Sequence, residues 1–564
     1  MEKIVKASLF FVFNLAFLAN VYTQHTYINN GTFSTHILDR MEIKSGKIAN
    51  EYFHTSNKSY RRQFIAAYVD SLIQSDLPLS KQDKFNLEYL QIDNFEWSKS
   101  NTVNSKNKVP LLNDFYKKKS ALYSVQIPDF NLIINPVVLV SMTNERGTPN
   151  VDRAFINTRG FELRGNLTNK IGFYSHVSDE VIAPMRNVYD YFQKDSVIPG
   201  AGYYKLYPGN YGYFLYNGYV SLSLNKYMDW QFGHGRNSIG DGFRSFILSE
   251  FAPDYNYLKF NTRVWKINYT NIFGQMRDYA PIQTYLNSAK HYLATHHLSI
   301  NVTDNFSIGA FESIIFQRDS GHSETGFDLN YLNPVIFYKA IENGLNSTDK
   351  AVIGTNFKYN FLHHFSLYGQ FVLSEFVYTE LEKARGWWGN KHAGQLGIKY
   401  IDVLNVKNLD LQVEFNYSRP YMYTSYTKFQ SYTNYMQPLA HPLGANFYEL
   451  INTIRYQPTN RLWLLGKCIL ANYGEDTTNT NWGKNIGLSY ASVHRHFGNY
   501  IGQGFNCTLL IADLNVSYMF KHNMFLDIGV RYRTVNSDLL RFDRDEFYFS
   551  AGIRLNIAQR FYDF

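Results

Sequence analysis

The densest set of chemically capable side chains lies between Trp230 and Ser245. His234, Arg236, Asn237, Asp241 and Arg244 fall within eleven residues, interleaved with Gly233, Gly235, Gly240 and Gly242. Glycine lets a backbone come close to a ligand or to another wall. Arginine offers a planar fork to carboxylate or phosphate, and Asn and Asp hydrogen-bond sugar hydroxyls. Two readings are equally open: a ligand-binding site, or a kinked strand whose polar side chains pair with one another inside a lumen. A P-loop is excluded, because no Gly-Lys-Ser/Thr follows at the required spacing.

A second cluster is Trp387-Trp388 with Asn390, Lys391 and His392. Paired indoles beside Asn and Lys can stack on sugar rings, but a girdle at a membrane interface is the favoured reading. His441 and Glu449 have acid and base character, but a histidine beside Pro442 reads better as a packed turn residue. His296 and His297 are adjacent, so on a strand they point to opposite faces and cannot share a metal. The only cysteines, Cys468 and Cys507, have no metal-ligand spacing and can form one bridge or none. No catalytic residue, metal or cofactor is assigned. The ligand-binding candidates are therefore His234, Arg236, Asn237, Asp241, Arg244, Trp387 and Trp388.

These residues sit in a chain that alternates. Leu409 to Ser418 alternates apolar and polar without a break, as do Phe161–Leu167, Leu514–Tyr518, Leu526–Tyr532 and Phe547–Leu555. One face carries Leu, Val, Ile and Phe, and the other Asp, Glu, Arg and Asn, the signature of strands with two unlike faces. The segments run to roughly 9–11 residues, the span of a tilted strand across a bilayer. Aromatic residues gather at segment ends (Tyr400, Tyr417, Tyr421, Tyr423, Tyr518, Phe520, Tyr532), as interfacial girdles would. The chain closes on Phe564 after its last alternating strand, a position read as a signal to barrel-insertion machinery. A secreted propeller or sandwich would show a repeat of about 40–50 residues, and none is present.

Composition agrees. Of 564 residues, 17% are aromatic and only 18% charged, against about 25% charged in an average soluble domain. That excludes disorder. No mature stretch offers about 20 consecutive apolar residues for a membrane helix. The net charge is +8 without a long basic run, Lys117–Lys119 being the best. Nucleic acid is thus excluded as a partner, and a mildly basic surface suits lipopolysaccharide or acidic polysaccharide.

Residues 1–23 read as a signal peptide, with Lys3 and Lys6 before the apolar Ala7–Ala19. Residues 24–126 form an N-terminal helical region. One helix is expected over Tyr60–Gln74 with Ser59 as its cap, and another opens at Ser80 with Asp83 in a capping-box position. Residues 127–564 form the β array. At roughly 22–26 residues per strand with its connections, it holds about 18 strands, an even number. The longest loops are expected at Val181–Tyr213, Arg318–Lys350 and Tyr473–Cys507. The fold class is all-β transmembrane: an antiparallel outer-membrane β-barrel with a small N-terminal periplasmic helical bundle.

Several segments resemble the Wzi-like capsule-assembly family. They are Asp39–Gly46 followed by His54-Thr55, Trp230–Ser249, Tyr331–Phe337, Tyr368–Phe371, Glu414–Tyr421 and His441–Glu449. The chain looks closest to the gliding-motility RemB-like branch. It departs from the family pattern at Ser374, where an acidic residue is expected before Glu375. The resemblance implies an 18-stranded barrel in the outer membrane of a Gram-negative bacterium and a non-enzymatic role in surface polysaccharide binding and capsule assembly, with support of gliding as an extension. The expected partners are cell-surface polysaccharide or lipopolysaccharide, outer-membrane lipids, the insertion machinery and motility-complex proteins. A channel or porin is the alternative reading, motivated by the charged lumen face.

Overall fold

The computed structural model describes residues 26–564 apart from 30, 32, 50–51, 59, 99–104, 109, 112–113, 147–152, 169, 203, 278–289, 318–328, 338–348, 428–429 and 478. The signal-peptide expectation lies outside the described residues. Eighteen antiparallel strands, from Phe130–Arg146 to Arg544–Leu555, each pair with the next. The ring closes where Arg544–Leu555 returns to the first strand, from Val138↔Leu555 to Arg146↔Phe547. Closure leaves no unpaired edge, which lipid would penalise at every N–H and C=O. No helix among the described residues is long and apolar enough to cross a membrane.

Polarity is inside out. On the last three strands Asp513, Asn515, Asp527, Arg531, Glu546 and Arg554 are buried in the lumen. Their outward neighbours Leu514, Ile528, Val530, Phe547, Phe549 and Ile553 are exposed. A ring that turns its aliphatic side chains outward and its charges inward is matched to lipid outside and water or protein within.

The two ends differ. At one end the turns are short, as at Trp265-Lys266, Asn460-Arg461 and His522-Asn523. At the other lie the connections 184–209, 317–349 and 476–504, within the three long loops expected, together with 236–254 and 419–446. The short-turn end carries three helices, α1 (Phe33–Ser45), α2 (Arg62–Gln74) and α3 (Lys81–Asp93). They share a core of Ile37, Leu38, Met41, Ile65, Val69 and Leu87. The Ser80/Asp83 capping box forms as expected. Helix α2 starts at Arg62 with Arg61 at its cap position, and Ser59 lies outside the described residues. Helix α1 was not anticipated. Its buried face carries Arg40, Glu42 and Lys44, and charge on an inner face erases the apolar stripe by which a helix is recognised.

Two expectations need correction, and one left open is decided. Phe564 does not end a strand. The last strand stops at Leu555, and residues 556–564 fold back into the lumen, where the Phe564 ring meets Tyr191 (5.0 Å) and Phe251 (5.7 Å). Tyr421 and Tyr423 are not girdle residues: both are fully buried in the long-loop end, donating to Asn481 O and Phe246 O (2.7 Å each). Cys468 and Cys507 are both free. They lie on adjacent strands in register with Ala512 and Tyr473, a separation of five residues or roughly 17 Å, far beyond disulfide reach.

Leu514 faces outward at mid-strand. Leu514→Arg is expected to destabilise the barrel by about 2–4 kcal/mol, read from urea unfolding in lipid vesicles. Ser517→Arg, on the lumen face of the same strand, provides the contrast.

Candidate functional site

The Trp230–Ser245 constellation divides at the end of a strand. His234 is on Met228–Gly235 and faces outward, stacked on Tyr216 (4.4 Å) and bonded to Asn256 (2.8 Å). It does not join the others. From Arg236 the chain leaves the wall and enters the lumen. Arg236 pins this departure through Asp254 (3.0 Å), Glu250 O (2.8 Å) and Gly200 O (2.7 Å). Asn237 bonds Tyr255 (3.4 Å).

The loop crosses to the opposite wall. Glu414 accepts from Phe243 N (2.6 Å) and Arg244 N (3.0 Å), and Gln370 accepts from Phe246 N (2.7 Å). A Cβ on Gly240 would lie 2.4 Å from Gln370 Nε2, and one on Gly242 2.5 Å from Gln395 Oε1. The glycines are there for close approach to a wall, one of the two uses read in the sequence. The same loop reaches the helical region, with Gly240 N donating to Ser56 O (2.8 Å) and Lys58 N to Ser238 O (3.1 Å). Asp241 offers its carbonyl to Lys399 (2.7 Å). Arg244 joins Glu449 (3.0 Å) to the Asp563 carbonyl (2.6 Å). Glu449 also takes a bond from His441 (2.7 Å), so this histidine is a packed turn residue.

The returning tail completes the filling. Asp563 lies between Lys467 (2.7 Å) and Arg531 (2.8 Å), and Arg560 pairs with Glu180. From the helix end, Arg40 joins Asp83 (3.0 Å) to Asp402 (2.5 Å) and to Asp410, while Lys358 holds Asp39 and Glu42 at 2.8 Å each. Burial would raise the Asp83 carboxyl, but Arg40 and Lys44 outweigh it and hold it below the usual range. Asp39 is held well below that range by Lys358 and Lys399 against the same opposing burial. Loop, tail and helices thus form one plug across the lumen.

Trp387 and Trp388 lie at the long-loop end, half-buried. Trp388 N donates to His496 O (3.0 Å) and Gly498 N to Arg385 O (2.7 Å), stitching 376–390 to 476–504. Trp388 packs on Tyr490 (5.2 Å), and Tyr490 on Tyr426 (6.0 Å). Lys391 Nζ lies 4.6 Å from the Trp388 ring and 4.4 Å from that of Tyr490. Around them Tyr426, Phe497 and Tyr500 are exposed, with Arg385 over Phe497 (4.5 Å) and Arg495 over Tyr500 (5.5 Å). Phe497 and Tyr500 were not singled out from the sequence, because isolated aromatics in a chain this rich in them carry no signal. Among the described residues no group of His, Cys, Asp and Glu could hold a metal.

No family model and no curated protein matches the chain. Solved structures do. Wzi of Escherichia coli, an outer-membrane protein involved in group 1 capsule assembly and described as a carbohydrate-binding β-barrel, aligns over 95% of this chain and 100% of its own, with TM-score 0.56 and 12% identity. The fold is that of a Wzi-like outer-membrane barrel. OprD of Pseudomonas aeruginosa aligns over 76% of this chain and 94% of its own, with TM-score 0.39 and 13% identity. OpdL of the same organism gives 76%, 99%, 0.40 and 9%.

The depressed Asp39 and Asp83 carboxyls make plug docking acid-sensitive. A lowered folded pKa contributes stability that is complete above the unfolded value near 4 and lost as pH falls through the folded one. Pepsin accessibility of residues 24–126 is therefore expected to rise as pH is stepped from about 5 to about 2. Arg40→Met, which takes one counter-charge from each of Asp83, Asp402 and Asp410, is expected to weaken docking by about 3–5 kcal/mol at neutral pH.

Proposed function

We propose that this protein is a non-enzymatic outer-membrane component that holds cell-surface polysaccharide and serves capsule assembly. In this reading the helix end lies in the periplasm and the long loops outside, since outer-membrane barrels have short periplasmic turns and longer external loops. The observation that carries the reading is the plugged lumen. A ring of eighteen strands filled by its own loop 236–254, its tail and its helices leaves the loop end as the working surface. That surface presents Trp387, Trp388, Tyr426, Tyr490 and Tyr500 beside Arg385 and Arg495. Sugar C–H faces pack flat on aromatic rings, and hydroxyls or carboxylates take bonds from Arg. The fold similarity to a carbohydrate-binding barrel supports the same reading. Arg236, Asn237, Asp241 and Arg244 then position the plug beneath the glycan surface.

The purified chain is expected to retain the acidic surface polysaccharide of its own cells. Trp388→Ala with Tyr490→Ala should weaken retention roughly tenfold without changing the barrel. A deletion strain should shed polysaccharide into the medium, and the RemB-like branch of the resemblance adds surface spreading as a second readout. Unchanged attachment and spreading would sink the proposal. The channel reading predicts conductance steps in planar bilayers. None are expected from the intact chain.

A further inference from the structure

At the helix end a groove of about 1140 Å³ opens between the helices and the barrel turns. Tyr52, Leu72, Leu77 and Leu79 give it an apolar floor. Four charged residues stand on its rim: Lys47 and Asp76 from the helical region, Asp304 and Lys407 from barrel turns. All four are exposed, and among the described residues none has an oppositely charged partner. The other charged lining groups are Lys44 and Asp402, which pair with each other (3.0 Å) and with Asp83 and Arg40, and two histidines. His363 and His364 each turn Nδ1 to a backbone carbonyl, of Lys44 (3.1 Å) and Leu362 (2.9 Å). Tyr68, only 5% exposed, lines the groove beside Ser45.

The groove also stands at the membrane boundary. The turns that form its barrel side carry Leu362 and Leu404 at their tips, 72% and 81% exposed. Apolar tips at the rim of a membrane barrel belong against lipid. Two cations and two anions around an apolar trough, at headgroup level, match a molecule with a phosphate, an ammonium and an acyl chain. Basic pockets at membrane surfaces bind lipid headgroups by this logic, and the two aspartates extend it to a zwitterion.

We propose that this groove binds one phospholipid of the adjoining leaflet through a phosphoethanolamine headgroup. The phosphate lies toward Lys47 and Lys407, the ammonium toward Asp76 and Asp304, and an acyl chain covers Tyr52, Leu72, Leu77 and Leu79. This rests on the membrane-spanning barrel and not on the glycan reading, so either can fail alone.

The test is native mass spectrometry of the full detergent-extracted chain titrated with phosphatidylethanolamine, phosphatidylglycerol and soluble phosphoethanolamine. One bound phosphatidylethanolamine is expected, held more tightly than phosphatidylglycerol. Lys47→Glu with Lys407→Glu should weaken both lipids, by about twentyfold for phosphatidylethanolamine. Asp76→Asn with Asp304→Asn should remove only the preference between them. Leu77→Trp, which fills the trough, should abolish retention while heat-modifiable gel migration still reports a folded barrel. No specific lipid retention, equal retention by the lysine variant, or competition by soluble phosphoethanolamine as strong as by the lipid would overturn the proposal. The competition uses the wild-type chain, so it holds even where a variant misfolds.

Discussion

An ionised side chain on the inner face of this ring has lipid behind its wall, so it must find its counter-charge within the lumen. Glu449, Lys358, Asp410 and Arg531 all do so by meeting residues far away in sequence: Arg244, Asp39, Arg40 and Asp563. An eighteen-stranded lumen is too wide for wall side chains to fill alone. The chain therefore supplies its own filling from three directions, and the charges of that filling answer those of the wall. Breaking one partner leaves a buried charge uncompensated, which is why each piece of the plug depends on the others.

Filling the lumen moves function to the ends. Between the strands and the plug there remains a space of about 830 Å³ bordered by all three inserted pieces. At the loop end, rings and guanidinium groups that would be lipid anchors on the outer wall are held instead by backbone bonds between 376–390 and 476–504. At the helix end, short turns and docked helices leave a groove between them. The two surfaces are chemically unlike: one is aromatic and basic, the other an apolar trough with both signs of charge.

Much of the architecture was legible because it rests on local periodicity. Strict alternation such as Leu409–Ser418 decides which face is inward, and the observed strand has those bounds. The Ser80/Asp83 cap was legible for the same reason, since its partners are three residues apart. Helix α1 was not, because its inward Arg40, Glu42 and Lys44 pair with residues hundreds of positions away. Trp230–Ser245 was recognised as special, yet His234 faces outward while Arg244 crosses the lumen, a difference set by where the strand ends.

The sequence by itself determined a closed, membrane-matched ring of unlike faces, for alternation and aromatic content are properties of neighbours along the chain. Only the tertiary structure decided that the ring is plugged, that Phe564 and Tyr421 turn inward, and that Trp388 meets Tyr490 above the barrel. Those outcomes depend on long-range charge pairing inside the lumen, where the partner of each group is chosen by the curvature of the closed sheet rather than by spacing along the chain.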